Sequence, residues 1–173
     1  MLLRCPLPGD GVAVNEALRE SWPELTQWMA WAKGDVPDVA DSEMRQRQNQ
    51  VAYKERDEFH FNAYLKETGQ FVGKPGLMRI DKSVPKAEIG YWMRTGLVGQ
   101  GLMTEAVAAV TEFAFETLRL VRVEIRCDAL NQRSAAIPER LGYRLEGTLI
   151  NDCRTSQGDL RDTLIYARTK PVR

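Results

Sequence analysis

The chain has 173 residues, enough for one domain with a sizeable core and short for two. Its 24 Lys+Arg balance 24 Asp+Glu, so no global positive field argues for nucleic acid. No apolar run approaches the ~20 residues that cross a bilayer, and the first residues, MLLRCPLPGD, lack the long apolar core of a signal peptide.

Leu2 to Leu7 is a short strand candidate stopped by Pro8-Gly9, and Asp10 is placed to cap a helix running to about Arg19. The segment SWPELTQWMAWA crowds Trp22, Trp28 and Trp31 together. Trp28 and Trp31 are three apart and share a face if the segment is a short helix. Gly34 to Ala40 reads as a loop, and Asp41 to Arg56 as a polar surface helix. Phe59, Phe61, Ala63 and Leu65 alternate with polar residues, the period of a strand. Glu67 to Gln70 is turn chemistry, and Phe71 to Ile80 returns as the hairpin partner. His60 falls opposite the phenylalanines, at the sheet surface. Cys5, Cys127 and Cys153 are odd in number and lack a C-x-x-C pair, which reads as free thiols in a reducing cytoplasm. With one histidine, no metal site is expected.

The stretch from 87 to 105, AEIGYWMRTGLVGQGLMTE, organises the rest. Residues 87–94 alternate as a central strand, Gly96, Gly99 and Gly101 punctuate a loop, and Thr104-Glu105 opens a helix running to about Leu118. Glycines let the backbone lie against a ligand, and a helix start aims free N–H groups at one point, which suits phosphate. A nucleoside-triphosphate loop would need Lys and Ser/Thr where Leu102 and Met103 stand. A dinucleotide loop would need glycine at Thr104. Beyond it, 121–128 alternates as a strand, NQRSAAIPERLG carries a short helix ending at Gly142, and 143–149 and 160–167 close the chain as strands. Ser134 fits an N-cap of that helix.

The words EIGYWM, GLVGQG, GQGLMTEAV, N-x-x-S from Asn131, and LGY with a following EG resemble the GNAT superfamily of N-acetyltransferases, and within it the ribosomal-protein N-terminal branch. Gly96 departs from the Gln or Arg that opens the family loop. The resemblance covers essentially the whole chain as one domain. It implies an α/β (α+β) mixed sheet of about seven strands, with a splay between the parallel strands 87–94 and 121–128 that accepts the pantetheine arm. It also implies acetyl-CoA as co-substrate without a metal. The acceptor would be a protein N-terminal α-amine, with a small amine as the alternative and a non-catalytic acyl-CoA-binding module as a further one. Homodimers are common in the family.

By the same resemblance, CoA would be held by Trp92, Met93, Arg94, Gly99, Gln100, Gly101, Leu102, Met103, Thr104, Asn131, Ser134 and Arg140. Trp28 and Trp31 would wall the acceptor amine. Pro138 stands where many members carry a tyrosine for the leaving thiolate, which passes that role to Ser134. The base is open between Glu88, Asp152 beside Cys153, and a water.

Overall fold

The computed structural model describes residues 1–170. Eight strands form one mixed sheet in the order β1-β3-β4-β5-β6-β8-β7, with β2 also paired to β4. The strands are β1 (Leu2–Arg4), β2 (Phe59–His60), β3 (Asn62–Tyr64), β4 (Phe71–Asp81), β5 (Lys86–Met93), β6 (Arg122–Asp128), β7 (Arg144–Arg154) and β8 (Leu160–Thr169). The helices are α1 (Gly11–Trp28), α2 (Val39–Glu55), α3 (Leu102–Glu112) and α4 (Gln132–Arg140). All neighbouring strands are antiparallel except β5 and β6, whose parallel pairing requires the crossover that α3 supplies.

The expected count of seven strands becomes eight because the segment 59–65 is broken at Phe61. Phe61 N–H donates to Pro75 O at 2.9 Å, but Pro75 has no N–H to return, so the ladder is interrupted there. The helix after the glycine loop ends its regular part at Glu112 and continues as a π turn, with Leu118 N–H donating to Phe113 O. The first helix is longer than the sequence indicates, running through Pro23 to Trp28. It stops there because Trp31 turns back to pack on Trp22 and Trp92, at ring separations of 6.1 and 6.4 Å. Trp28 and Trp31 therefore do not share a helical face.

Burial sets which face of the central strands points inward. Val123 and Ile125 on β6 are fully buried with Ile89, Val107 and Val110, while Arg122, Glu124 and Arg126 form ion pairs on the opposite face. Each buried aliphatic side chain contributes about 1.5–3 kcal/mol, against ~0–1 kcal/mol for each exposed ion pair. The apolar face decides.

On the other side α1 and α2 cover a buried polar cluster. The Asp10 carboxylate does not cap α1; it accepts from both guanidinium nitrogens of Arg4, from Leu7 N–H and from Asn62. Glu43 on α2 takes the Gly9 and Gly11 N–H groups instead. Lys74 on β4 donates to Gln46 Oε1 at 3.0 Å, and burial pulls its pKa from 10.5 down to about 7. Between those two values the unfolded chain binds a proton that the folded chain does not, so this residue makes stability rise with pH across that window and fall as pH drops through 7. Lys74→Met should flatten that part of the pH dependence in urea titrations compared with the unaltered chain; parallel curves for the two proteins would contradict the assignment.

Candidate active site

β5 and β6 pair from Lys86–Arg122 to Ile89–Ile125 and then separate, although β5 runs on to Met93 and β6 to Asp128. The opposite edge of β5 stays paired to β4 as far as Gly73–Met93. Gly73 is required there, since a Cβ would lie 2.3 Å from Trp92 O. The opening is thus confined to the β6 side, where the backbone from Gly90 to Met93 lacks a ladder partner among the described residues. The first turn of α4 faces this opening. Asn131 caps it by accepting from Ser134 N–H at 3.1 Å, so Asn131, not Ser134, is the N-cap.

Past β5 the chain turns through the glycine loop. Gly99 and Gly101 take positive φ of 86° and 76°, which admits a sharp entry into α3. Among the described residues, no N–H from Gly99 to Thr104 has an acceptor; the first engaged amide is Glu105 N–H, on Gly101 O at 3.0 Å. Free amides at a helix start favour an anion there. The loop is fixed from outside by α1. Glu20 accepts from Arg94 Nε and from Gly96 N–H, and Ser21 Oγ accepts from Thr95 N–H. The Arg94 guanidinium holds the Glu20 carboxyl below its usual range, with Gly96 N–H adding to it. A Cβ at 96 would lie 2.8 Å from Glu20 Oε1, so a side chain there would push the Glu20 carboxylate aside.

Loop and opening merge into a cleft of about 300 Å³. Of the residues expected at a CoA site, Trp92, Met93, Gly99, Gly101, Leu102, Met103, Thr104, Asn131, Ser134 and Arg140 line it. Arg94 and Gln100 do not: Arg94 is turned to Glu20, and Gln100 is exposed on the loop's outer side. Trp28 lines the cleft, while Trp31 does not and is half exposed. Neither proposed carboxylate reaches it. Glu88 lies on the charged face of the sheet, 2.8 Å from Arg79 and 3.6 Å from Arg126, and burial nonetheless raises its pKa. Asp152 is exposed on β7, its pKa lowered by hydrogen bonds from Thr163 and Cys153.

The lining residues that were not anticipated include Glu24 and Tyr91. Glu24 on α1 is the one acidic side chain lining the cleft among the described residues. It lies one helical turn beyond Glu20 and one before Trp28, and that i, i+4 row was the available signal. Tyr91 projects from β5 into the opening, where its hydroxyl donates to Ser134 O at 3.0 Å and accepts from Ser134 Oγ at 3.2 Å. Burial pushes its pKa well above the ordinary tyrosine value, so it is a neutral phenol. The Cys127 thiol, across the gap on β6, is likewise held neutral, with its pKa pushed up to about 11 by burial.

Residues 2–144 match the family described as Acetyltransferase (GNAT) domain. The chain belongs to that family. This GNAT enzyme transfers the acetyl group of acetyl-CoA to an amine nitrogen. It is 32% identical over 143 residues, 81% of this chain and 75% of the relative, to YdaF of Bacillus subtilis (strain 168), provisionally named a ribosomal N-acetyltransferase. The fold is shared with the ribosomal L7/L12 alpha-N-protein acetyltransferase RimL in complex with coenzyme A. That match has a TM-score of 0.89 and 22% identity, covering 96% of this chain and 92% of the other. It is shared as well with the microcin C7 self-immunity acetyltransferase MccE in complex with acetyl-CoA and AMP. Here the TM-score is 0.88 at 23% identity, covering 97% and 91%.

If the free amides carry the pyrophosphate, the shape of their loop controls affinity. Gly101→Ala places a Cβ in a left-handed conformation that costs about 1–2 kcal/mol, so the CoA dissociation constant measured by calorimetry should rise by roughly tenfold. An unchanged constant would remove the loop from the binding site.

Proposed function

We propose that the acceptor is a protein N-terminal α-amine, as in the ribosomal-protein enzymes that this chain resembles. The observation that carries this is the composition of the cleft wall on the α1 side: Leu25, Trp28 and Met29 with a single carboxylate, Glu24. A polyamine carries several positive charges and calls for several carboxylates. One ammonium followed by an uncharged peptide backbone calls for one.

The pyrophosphate rests on the amides from Gly99 to Thr104, with Arg133 and Arg140 on α4 adding positive charge at the same cleft. The pantetheine arm pairs with the free edge of β5 near Met93. That places the thioester at the mouth of the opening, beside Ser134. An α-ammonium has a pKa of about 8 and must lose its proton before it attacks. Glu24 attracts the ammonium and passes its proton to solvent. Attack by the nitrogen on the carbonyl carbon forms the C–N bond, and the second proton of the amine leaves the adduct nitrogen for solvent by the same route. Collapse breaks the C–S bond, leaving the electron pair on sulfur, and the Ser134 hydroxyl donates a hydrogen bond to that thiolate. No bond to the enzyme forms in this direct transfer.

Thiol release from acetyl-CoA, followed with peptides starting in Ser or Ala, the same peptides with a blocked N-terminus, and spermine, tests the acceptor. Turnover should require the free peptide terminus; rapid acetylation of spermine with none of the peptides would overturn the reading. On the competent peptide, Ser134→Ala should lower kcat by roughly 10²-fold with CoA affinity retained.

A further inference from the structure

Pro138 lies in the middle of α4, four residues after Ser134. A proline there has no N–H to donate to the carbonyl of Ser134 and its ring presses that carbonyl outward. The carbonyl is nevertheless satisfied: the Tyr91 hydroxyl, arriving from the facing strand, donates to it at 3.0 Å. The same phenol oxygen accepts the Ser134 hydroxyl proton at 3.2 Å. Tyr91 thus touches both polar groups of one serine across the opening between β5 and α4, and it lines the same cleft. A residue needed only to fill the gap would do so as phenylalanine. A residue needed only to satisfy the carbonyl would be superfluous had position 138 kept its N–H.

We infer that Tyr91 is the positioning residue for Ser134, a hydrogen-bond switch that holds the serine hydroxyl in the opening and releases its proton toward the leaving sulfur. The inference rests on the role given above to Ser134. In the resting arrangement the Ser134 Oγ–H points at the phenol and the phenol O–H at the Ser134 carbonyl. In the working arrangement the phenol O–H turns to Ser134 Oγ, and Oγ–H turns to sulfur. Both acceptors already lie within hydrogen-bond distance of the phenol oxygen, so the exchange needs rotation of two O–H bonds and no movement of heavy atoms. The Ser134 carbonyl is bared only while the thiolate is present. Tyr91 transfers no proton to substrate and does not change charge.

The test uses the full chain with its competent peptide acceptor and five variants: Tyr91→Phe, Pro138→Ala, those two combined, Ser134→Ala, and Ser134→Ala combined with Tyr91→Phe. Pro138→Ala returns a backbone N–H to the Ser134 carbonyl without restoring a partner for the hydroxyl. Tyr91→Phe should lower kcat by roughly tenfold or more with the KM for acetyl-CoA unchanged, and should lower the melting temperature. The combined variant should recover the melting temperature and not kcat. Adding Tyr91→Phe to Ser134→Ala should cost nothing further, because the two act as one unit. Recovery of kcat in the combined variant would show that Tyr91 only satisfies a carbonyl and would overturn the proposal, as would wild-type kcat in Tyr91→Phe. If Tyr91→Phe alone does not fold, the combined variant decides. Wild-type turnover by Ser134→Ala would instead remove the role of Ser134 itself, an outcome separable from the others because it does not involve residue 91.

Discussion

The structure depends on a parallel pairing that stops. β5 and β6 share four residue pairs and then diverge while each continues as an ordered strand. Unpaired backbone inside a protein costs free energy unless something satisfies it, so a gap of this kind persists only where neighbouring elements hold it open. Here β4 secures the far edge of β5, β8 secures the far edge of β6 over its whole length, and α4 stands opposite the mouth. Each strand is therefore anchored on one side and free on the other. In the reading proposed above, an arm with amide groups of its own completes that ladder.

The glycine loop is organised by the same economy. Its amides between Gly99 and Thr104 are left for a ligand, yet the turn preceding them is tightly satisfied by α1 through Glu20 and Ser21. The carboxylate of Glu20 occupies the space that a side chain at 96 would need. The hydrogen bonds to Glu20 and Ser21 tie the first helix to the loop. An anion held by the amides from Gly99 to Thr104 would therefore not have to order that turn.

How much of this was legible depended on range. The loop, the central strand and the helix at 132–140 lie in two contiguous stretches, and local alternation with glycine placement exposed them. The broken strand at Phe61 was hidden because its cause, Pro75, lies on the partner strand. The end of α1 at Trp28 was hidden because packing of Trp31 on Trp22 and Trp92, residues distant along the helix or in sequence, overrode helix spacing. Glu88 looked catalytic because it sits on the central strand, but alternation alone does not say that Arg79 and Arg126 will claim it. The Tyr91–Ser134 contact spans 43 residues, and no periodicity reports it.

The two halves of the cleft also differ in how they are built, and this bears on how specificity can change. The CoA half uses backbone amides and short local segments, so its chemistry is nearly independent of which side chains surround it. The acceptor half is assembled from the end of α1 and the turn between β7 and β8. Ser156 donates to Thr26 O and Arg161 to Trp28 O, contacts across 130 and 133 residues. These bonds go to the carbonyls at the helix end, which have no partners within the helix. They hold the end of α1 in place through its main chain rather than through the side chains of its last turn. Glu24, exposed on the last turns, can then change while the helix stays in register, whereas Leu25 is held by the core and Gly101 and Gly73 by backbone geometry. Under the proposed reading, acceptor preference is set by a few α1 side chains laid over a cofactor site that main-chain geometry fixes.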